Sequence, residues 1–278
     1  MNTLEQITPT VTLSNGLKMP QLGLGVLKAK DGSEVKEAVQ TALSEGYRLI
    51  DTATVYGNES GVGEAIAESG IPREDIFLTT KVWNSDQGYE NTLKAFDESL
   101  KRLQTDYVDL YLIHWPVAGK YKETWKALEE IYQQGKAKAI GVSNFQTHHL
   151  EDLMTIATVK PMVNQVEMHP HLQQPELKKY ARENEMLLQA WRPIMMGEVN
   201  DIHLLREIGN RYGKSPVQVT LRWMLQQNVV VIPKSVTPWR IAQNMQVFDF
   251  ELTEAEMKQI ALLDRNRRLG PDPDNFNF

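Results

Sequence analysis

Three observations predict an α/β fold of the (β/α)8 TIM-barrel class, with an N-terminal β-hairpin and appended helices. Short apolar runs alternate with amphipathic stretches of helix length along the chain. Eight such strand–helix units follow one another. Polar and titratable residues recur where the apolar runs end, and in a barrel those ends share the face that carries active sites.

The elements follow in order. Asn15-Gly16 between the runs 10–13 and 17–19 is a strong two-residue hairpin signal. A first barrel strand is expected at 21–24. A helix follows at 33–45, where Val35, Ala38, Val39 and Ala42 repeat at helical spacing and Gly46 ends it. Strand two is Arg48-Leu49-Ile50, with a helix after Asn58; strand three is 76–79, with a helix at 89–103. Strand four spans 107–113 and its helix 121–134, stopped by Gly135. Strand five is 137–142 with a helix at 148–157, and Met162-Val163-Asn164 leads into strand six. Pro175 suits the first turn of the next helix, 175–184. Strand seven is 186–190, and an insert follows with helices near 202–212 and 216–227. Strand eight is 229–232; helices at 238–247 and 253–263 close the chain.

With 278 residues, one barrel domain over 1–278 is the expected organisation, since α/β barrels of this size are an exception to two-domain counting. The rival is a doubly wound open sheet. No G-x-G-x-x-G follows the first strand, because Gly23-Leu24-Gly25 runs on into Val26-Leu27-Lys28. Lys plus Arg total 30 against 36 for Asp plus Glu, a net charge of −6 that argues for solubility and against a broad nucleic-acid surface. The absence of cysteine excludes disulfides, thiolate metal sites and cysteine nucleophiles. The stretch 1–11 is polar with no apolar signal core, and no run approaches a membrane span of about 20 apolar residues. A reducing cytoplasm and a monomer are the expected setting.

Asp51 follows Leu49-Ile50, Lys81 follows Leu78-Thr79-Thr80, and His114 follows 110–113. Ser143-Asn144, Gln165 and Lys234 follow strands five, six and eight. Singly, each has a plain explanation. Asp51 would cap a helix, Lys81 would be a solvated charge, His114 a satisfied core histidine and Tyr56 a loop packing residue. Scattered surface charge would not produce that shared register.

The motifs resemble those of the aldo-keto reductase family. They are Gly46-Tyr47-Arg48-Leu49-Ile50-Asp51-Thr52-Ala53 with Tyr56-Gly57-Asn58-Glu59, then Thr80-Lys81-Val82-Trp83, then Asp109 through Ile113 with His114-Trp115-Pro116. Ile140 through Phe145, Asn164-Gln165-Val166-Glu167 and Ile232-Pro233-Lys234-Ser235 continue the match in the family's order. The tail, Gly270-Pro271-Asp272-Pro273-Asp274-Asn275-Phe276, is similar to that of bacterial glyoxal/methylglyoxal and 2,5-diketo-D-gluconate reductases.

The resemblance implies NADPH-dependent reduction of aldehydes and ketones, small dicarbonyls such as methylglyoxal or keto-sugars among them, with no metal. It implies a catalytic set of Asp51, Tyr56, Lys81 and His114. Tyr56 would be the proton donor, its pKa lowered by Lys81 from an ordinary value of about 10. Ser143, Asn144 and Gln165 would hold the nicotinamide carboxamide and Trp191 would stack on the ring, although alone Trp191 also reads as a core residue. Lys234, Ser235, Arg240 and Asn244, with Val236, Thr237 and Gln243 nearby, would surround the adenosine 2′-phosphate and adenine. Arg240, Gln243 and Asn244 share a helix face by spacing, and Arg240 alone would be an ordinary surface charge. Leu27, Trp83, His114 and Trp115 would line the carbonyl pocket, with Phe276 and Phe278 added by the tail.

Two departures stand out. Leu27 replaces the family's bulky aromatic, and Arg192 replaces a small polar residue whose hydroxyl meets the cofactor pyrophosphate. Two outcomes follow: the Arg192 guanidinium faces those phosphates instead, which is the expectation here, or it does not fit and displaces the loop that covers the cofactor. Fold alone does not separate an enzyme from a silent NADPH-binding sensor; the intact catalytic set favours the enzyme, and leaves another barrel chemistry little room.

Overall fold

The computed structural model describes residues 8–278, so part of the polar stretch 1–11 lies outside the described residues. The hairpin pairs β1 (Thr10–Thr12) with β2 (Lys18–Pro20) around the Asn15-Gly16 turn. Eight parallel strands follow in sequential order: β3 (Leu24–Gly25), β4 (Leu49–Asp51), β5 (Phe77–Val82), β6 (Leu110–Ile113), β7 (Ile140–Ser143), β8 (Val163–Glu167), β9 (Leu187–Trp191) and β10 (Val230–Val231). Bridges of Leu22 to Val231 and Gly25 to Lys234 join the first strand to the last. The ring is therefore closed, which removes the open-sheet alternative.

The helices that return the chain between strands are α1 (Ser33–Ser44), α2 (Glu59–Glu68), α3 (Tyr89–Leu103), α4 (Tyr121–Gln133), α5 (Thr147–Met154) and α6 (Pro175–Glu183). The insert after β9 carries α7 (His203–Tyr212) and α8 (Pro216–Leu225); α9 (Pro238–Met245) and α10 (Glu254–Ala261) come last. Helices α8 and α10 start at reciprocal caps, Ser215 with Gln218 and Thr253 with Glu256, which satisfy backbone N–H groups that no helical carbonyl can reach.

Strand side chains alternate between two environments, as a period of two requires. Leu49, Phe77, Leu110, Leu112, Val163 and Val230 pack with Val11, Leu13 and Met19 of the hairpin, which plugs the floor of the barrel. Ile50, Leu78, Tyr111, Ile113, Val166 and Leu188 join the other core, beneath the helices. Counting upward in twos from the floor residues gives Asp51, Lys81, His114, Gln165, Glu167 and Lys234. The active-site register thus follows from the same pleat that packs the core.

Several of these polar residues lie inside strands, where the sequence placed them just beyond. Lys81 pairs in register with Leu112, Asp51 with Thr79, and Gln165 with Ser143. The backbone ladder continues past the last apolar side chain because its hydrogen bonds are indifferent to side-chain polarity.

Candidate active site

Asp51 and Lys81 form a buried ion pair at the centre of the barrel. Lys81 Nζ donates to Asp51 Oδ1 at 2.6 Å and to the Thr52 carbonyl at 2.8 Å, and Lys81 is fully buried. The solvated-charge reading of Lys81 is thereby overturned: its inward parity puts it in the core. The other Asp51 oxygen accepts from Gln165 Nε2 at 2.7 Å, and Gln165 Nε2 also donates to Gln189 Oε1 at 2.8 Å.

Burial pushes the Asp51 carboxyl above its ordinary range, against the opposing pull of Lys81 and Gln165. Burial would push Lys81 down, yet the negative charge of Asp51 and its hydrogen bond leave the ammonium above its ordinary value. The geometry favours the ion pair, because Nζ sits among carboxylate and carbonyl acceptors and both Asp51 oxygens face donors.

Tyr56 ends a short 3-10 turn, Thr54–Tyr56, between β4 and α2. Gly57 follows at φ 65°, a left-handed conformation that suits glycine and lets the chain turn into α2. Thr54 Oγ1 donates to the Lys81 carbonyl at 3.0 Å, tying the turn to β5. The half-buried Tyr56 ring lies 5.1 Å from the Lys81 ammonium. Burial raises the Tyr56 phenol above its ordinary value, and the neighbouring ammonium only partly offsets this. The lowering expected from Lys81 is thus reversed, because desolvation outweighs the charge. The phenol is therefore protonated at neutral pH.

His114 closes the other side, its ring 5.8 Å from Tyr56 and 5.1 Å from Trp83. Burial first, and then the Lys81 charge, hold its pKa well below the ordinary histidine range, so the imidazole is neutral. Its Nδ1 has no hydrogen-bond partner, which runs against the satisfied core histidine. With its proton on Nε2, a neutral imidazole offers a donor without a charge.

Of the residues expected to hold the cofactor, Ser143, Asn144 and Trp191 adjoin this centre. Asn144, at φ 65°, donates from Nδ2 to the His114 carbonyl at 2.9 Å and accepts at Oδ1 from Trp191 Nε1 at 2.8 Å. Ser143 Oγ donates to the Gln165 carbonyl at 2.8 Å. Trp191 is half-buried, so part of its surface remains open. Arg192 has φ 53°, its guanidinium lies 5.3 Å from the Trp191 ring, and its Nη1 is buried without a partner. Lys234 is exposed and Ser235 buried at the top of the last strand. On α9, Arg240 is exposed and its guanidinium lies 5.1 Å from the Trp239 ring, while Asn244 is buried and Gln243 half-buried.

Trp115, Trp83, Phe276 and Phe278 gather into one aromatic cluster, whereas Leu27 is 39% exposed. Sequence reasoning missed Gln189 and the Thr52 carbonyl as supports of the ion pair. The signal for Gln189 was a polar residue at an inward position of a buried strand, 187–191.

The sequence matches the aldo/keto reductase family over residues 21–265. It is 55% identical over 269 residues to glyoxal reductase from Bacillus subtilis, covering 97% of this chain and 98% of that protein. It is 48% identical over 273 residues to methylglyoxal reductase DkgA from Escherichia coli, covering 96% of this chain and 98% of that protein. The fold is similar to the crystal structure of a Gox0644 mutant in complex with NADPH, with TM-score 0.93, 42% identity, and coverage of 98% of this chain and 99% of that one. By its sequence match, its closed barrel and the residues at the strand ends, the chain belongs to the aldo/keto reductase family.

Proposed function

We propose that this chain, as a single-domain monomeric barrel of a reducing cytoplasm, catalyses the NADPH-dependent reduction of aldehydes and ketones, with Tyr56 as the general acid. Small dicarbonyls such as methylglyoxal, or keto-sugars, are the substrate classes. The observation that carries this reading is the buried Lys81–Asp51 pair set against the protonated Tyr56, with neutral His114 on the other side.

The residues present fit a nicotinamide dinucleotide phosphate. Trp191 keeps an open surface beside Asn144, Arg192 has a buried Nη1 without a protein partner, and the exposed Lys234 and Arg240 are available to a phosphate. When bound, NADPH supplies the hydride that reaches the carbonyl carbon. His114 Nε2 hydrogen-bonds the carbonyl oxygen and fixes its orientation. Tyr56 Oη gives its proton to that oxygen, so C=O becomes CH–OH. The Lys81 ammonium steadies the tyrosinate left behind, which is reprotonated from solvent, and Asp51 holds Lys81 in place.

Reductase function is supported further by the names of the relatives, a glyoxal reductase and a methylglyoxal reductase. The test is loss of NADPH absorbance with a panel of methylglyoxal, glyoxal, aromatic aldehydes and keto-sugars. Turnover of at least one small dicarbonyl or keto-sugar is expected. Tight NADPH binding with no turnover of any panel member would instead identify a silent sensor.

A further inference from the structure

Glu167 ends β8, faces the barrel interior and is fully buried, yet no step of carbonyl reduction uses it. Its carboxylate accepts from two successive backbone amides of the C-terminal tail. Leu269 N–H lies 2.6 Å from Oε1 and Gly270 N–H lies 2.9 Å from Oε2. Oε1 also stands 3.0 Å from His169 Nε2, which must carry the proton because a carboxylate only accepts. Burial alone would push the Glu167 carboxyl up, but His169 and the two amides bring it below its ordinary value, so it is ionised.

Gly270 presses against the same place. A Cβ there would lie 2.4 Å from Cη2 of Trp191 and 3.0 Å from Glu167 Oε2. Beyond it the tail reaches the aromatic pocket. Phe278 stacks on Trp83 at 5.8 Å, Phe276 lies 5.1 Å from Trp115, and Asn84 Nδ2 donates to the Phe278 carbonyl at 3.0 Å. Midway, Asp274 meets His148 Nε2 at 3.0 Å. A buried charge is costly, and an apolar residue would close a strand end more cheaply. Two carboxylate oxygens matched to two consecutive amides form a device for holding a chain segment.

We propose that Glu167 is the clasp that fixes the C-terminal tail as one wall of the carbonyl pocket. It is a positioning residue, acting on substrate through Phe276 and Phe278. Its catalytic consequence rests on the reductase reading; the clasp itself does not. A released tail leaves Asp51, Tyr56, Lys81 and His114 in place but opens the aromatic wall, so carbonyl binding weakens while the chemical step persists.

The test uses the full-length protein and two variants. Glu167→Gln keeps the side chain's size but turns one acceptor oxygen into a donor facing a backbone N–H. Gly270→Ala keeps the Glu167 carboxylate but sets a methyl group 2.4 Å from Trp191 Cη2 and 3.0 Å from Glu167 Oε2, so the clasped amide must lift away; lying outside the barrel strands, it carries the test if Glu167→Gln fails to fold. The first readout is trypsin cleavage after Arg265, Arg267 and Arg268, just ahead of the clasped amides. The second is KM and kcat for methylglyoxal. Cleavage about tenfold faster or more is expected in both variants, since loss of a charged hydrogen bond raises the open population by at least that much. In Glu167→Gln, KM should rise several-fold with kcat retained; Gly270→Ala, which presses on Trp191, is read by cleavage alone. Wild-type cleavage in both variants, with wild-type KM in Glu167→Gln, would overturn the clasp, as would an equal fall of kcat and kcat/KM in Glu167→Gln with unchanged cleavage. A wild type that reduces no carbonyl would sink the reductase reading alone, because the cleavage rates would still decide the clasp.

Discussion

The Lys81–Asp51 pair shows how much depends on completing a buried polar group. Both side chains are within a few per cent of full burial, so neither can fall back on water. Lys81→Met should cost about 3–5 kcal/mol of unfolding free energy, as expected when one member of a buried pair is left uncompensated. Denaturant melts of the two proteins measure this, and a loss under about 1 kcal/mol would mean that Asp51 takes up a proton at no cost. The proposed site also places cofactor choice on single residues. In the proposed site Arg240 would offer paired donors to a 2′-phosphate, so NADPH should bind more tightly than NADH and Arg240→Ala should narrow the gap. Arg192→Ser should weaken NADPH and reduce the salt dependence of its binding, because the Arg192 guanidinium has a buried nitrogen with no protein partner. Titrations of both nucleotides check these outcomes, and equal wild-type affinities would remove the phosphate pocket.

At the scale of elements, glycine marks where helices and strands meet. Gly63 sits inside α2, where glycine costs about 1 kcal/mol relative to alanine. The structure gives the reason: a Cβ at Gly63 would lie 2.6 Å from the Leu103 carbonyl carbon and oxygen at the end of α3. Backbone cannot move aside as a side chain can, so Gly63→Ala should destabilise by about 1–3 kcal/mol despite its better helix propensity. A variant more stable than wild type on thermal melting would show that α2 and α3 can separate freely. The elements themselves were legible in the sequence, since apolar periodicity and punctuation such as Gly46, Gly135 and Pro175 lie within a few residues of what they specify. The strand ends at Asp51, Lys81 and Gln165 run one to a few residues past the apolar runs, because side-chain polarity does not mark the end of backbone pairing. Glu167 was visible only as part of a motif: its partners Leu269 and Gly270 lie 102 and 103 residues away, beyond any local pattern. The left-handed φ of Arg192 has no signal in its residue type either.

Across the whole molecule, the hairpin plugs the floor, the pleat raises polar residues to the open end, and the tail lies across that end. Among the described residues, no helix is long and apolar enough to cross a membrane. The chemistry of the assembled site sets its pH dependence. On the proposed mechanism reduction draws on the protonated Tyr56 phenol, whose pKa is raised above the ordinary value, so reduction should be level through neutral pH and fall only as pH climbs through that raised value. Oxidation of the alcohol needs tyrosinate and should rise over the same interval. Neutral His114 should show no titration near the ordinary histidine value of about 6.5, because its pKa lies well below. The most direct measurement is single-turnover reduction of methylglyoxal by NADPH-loaded Tyr56→Phe, run beside wild type with NADPH affinity measured on both. Removing only the donated proton should slow reduction by about 10²–10⁴-fold, the usual contribution of a general acid, and leave NADPH binding unchanged. A Tyr56→Phe protein that reduces methylglyoxal within a few-fold of the wild-type rate would contradict the assignment of Tyr56 as the acid.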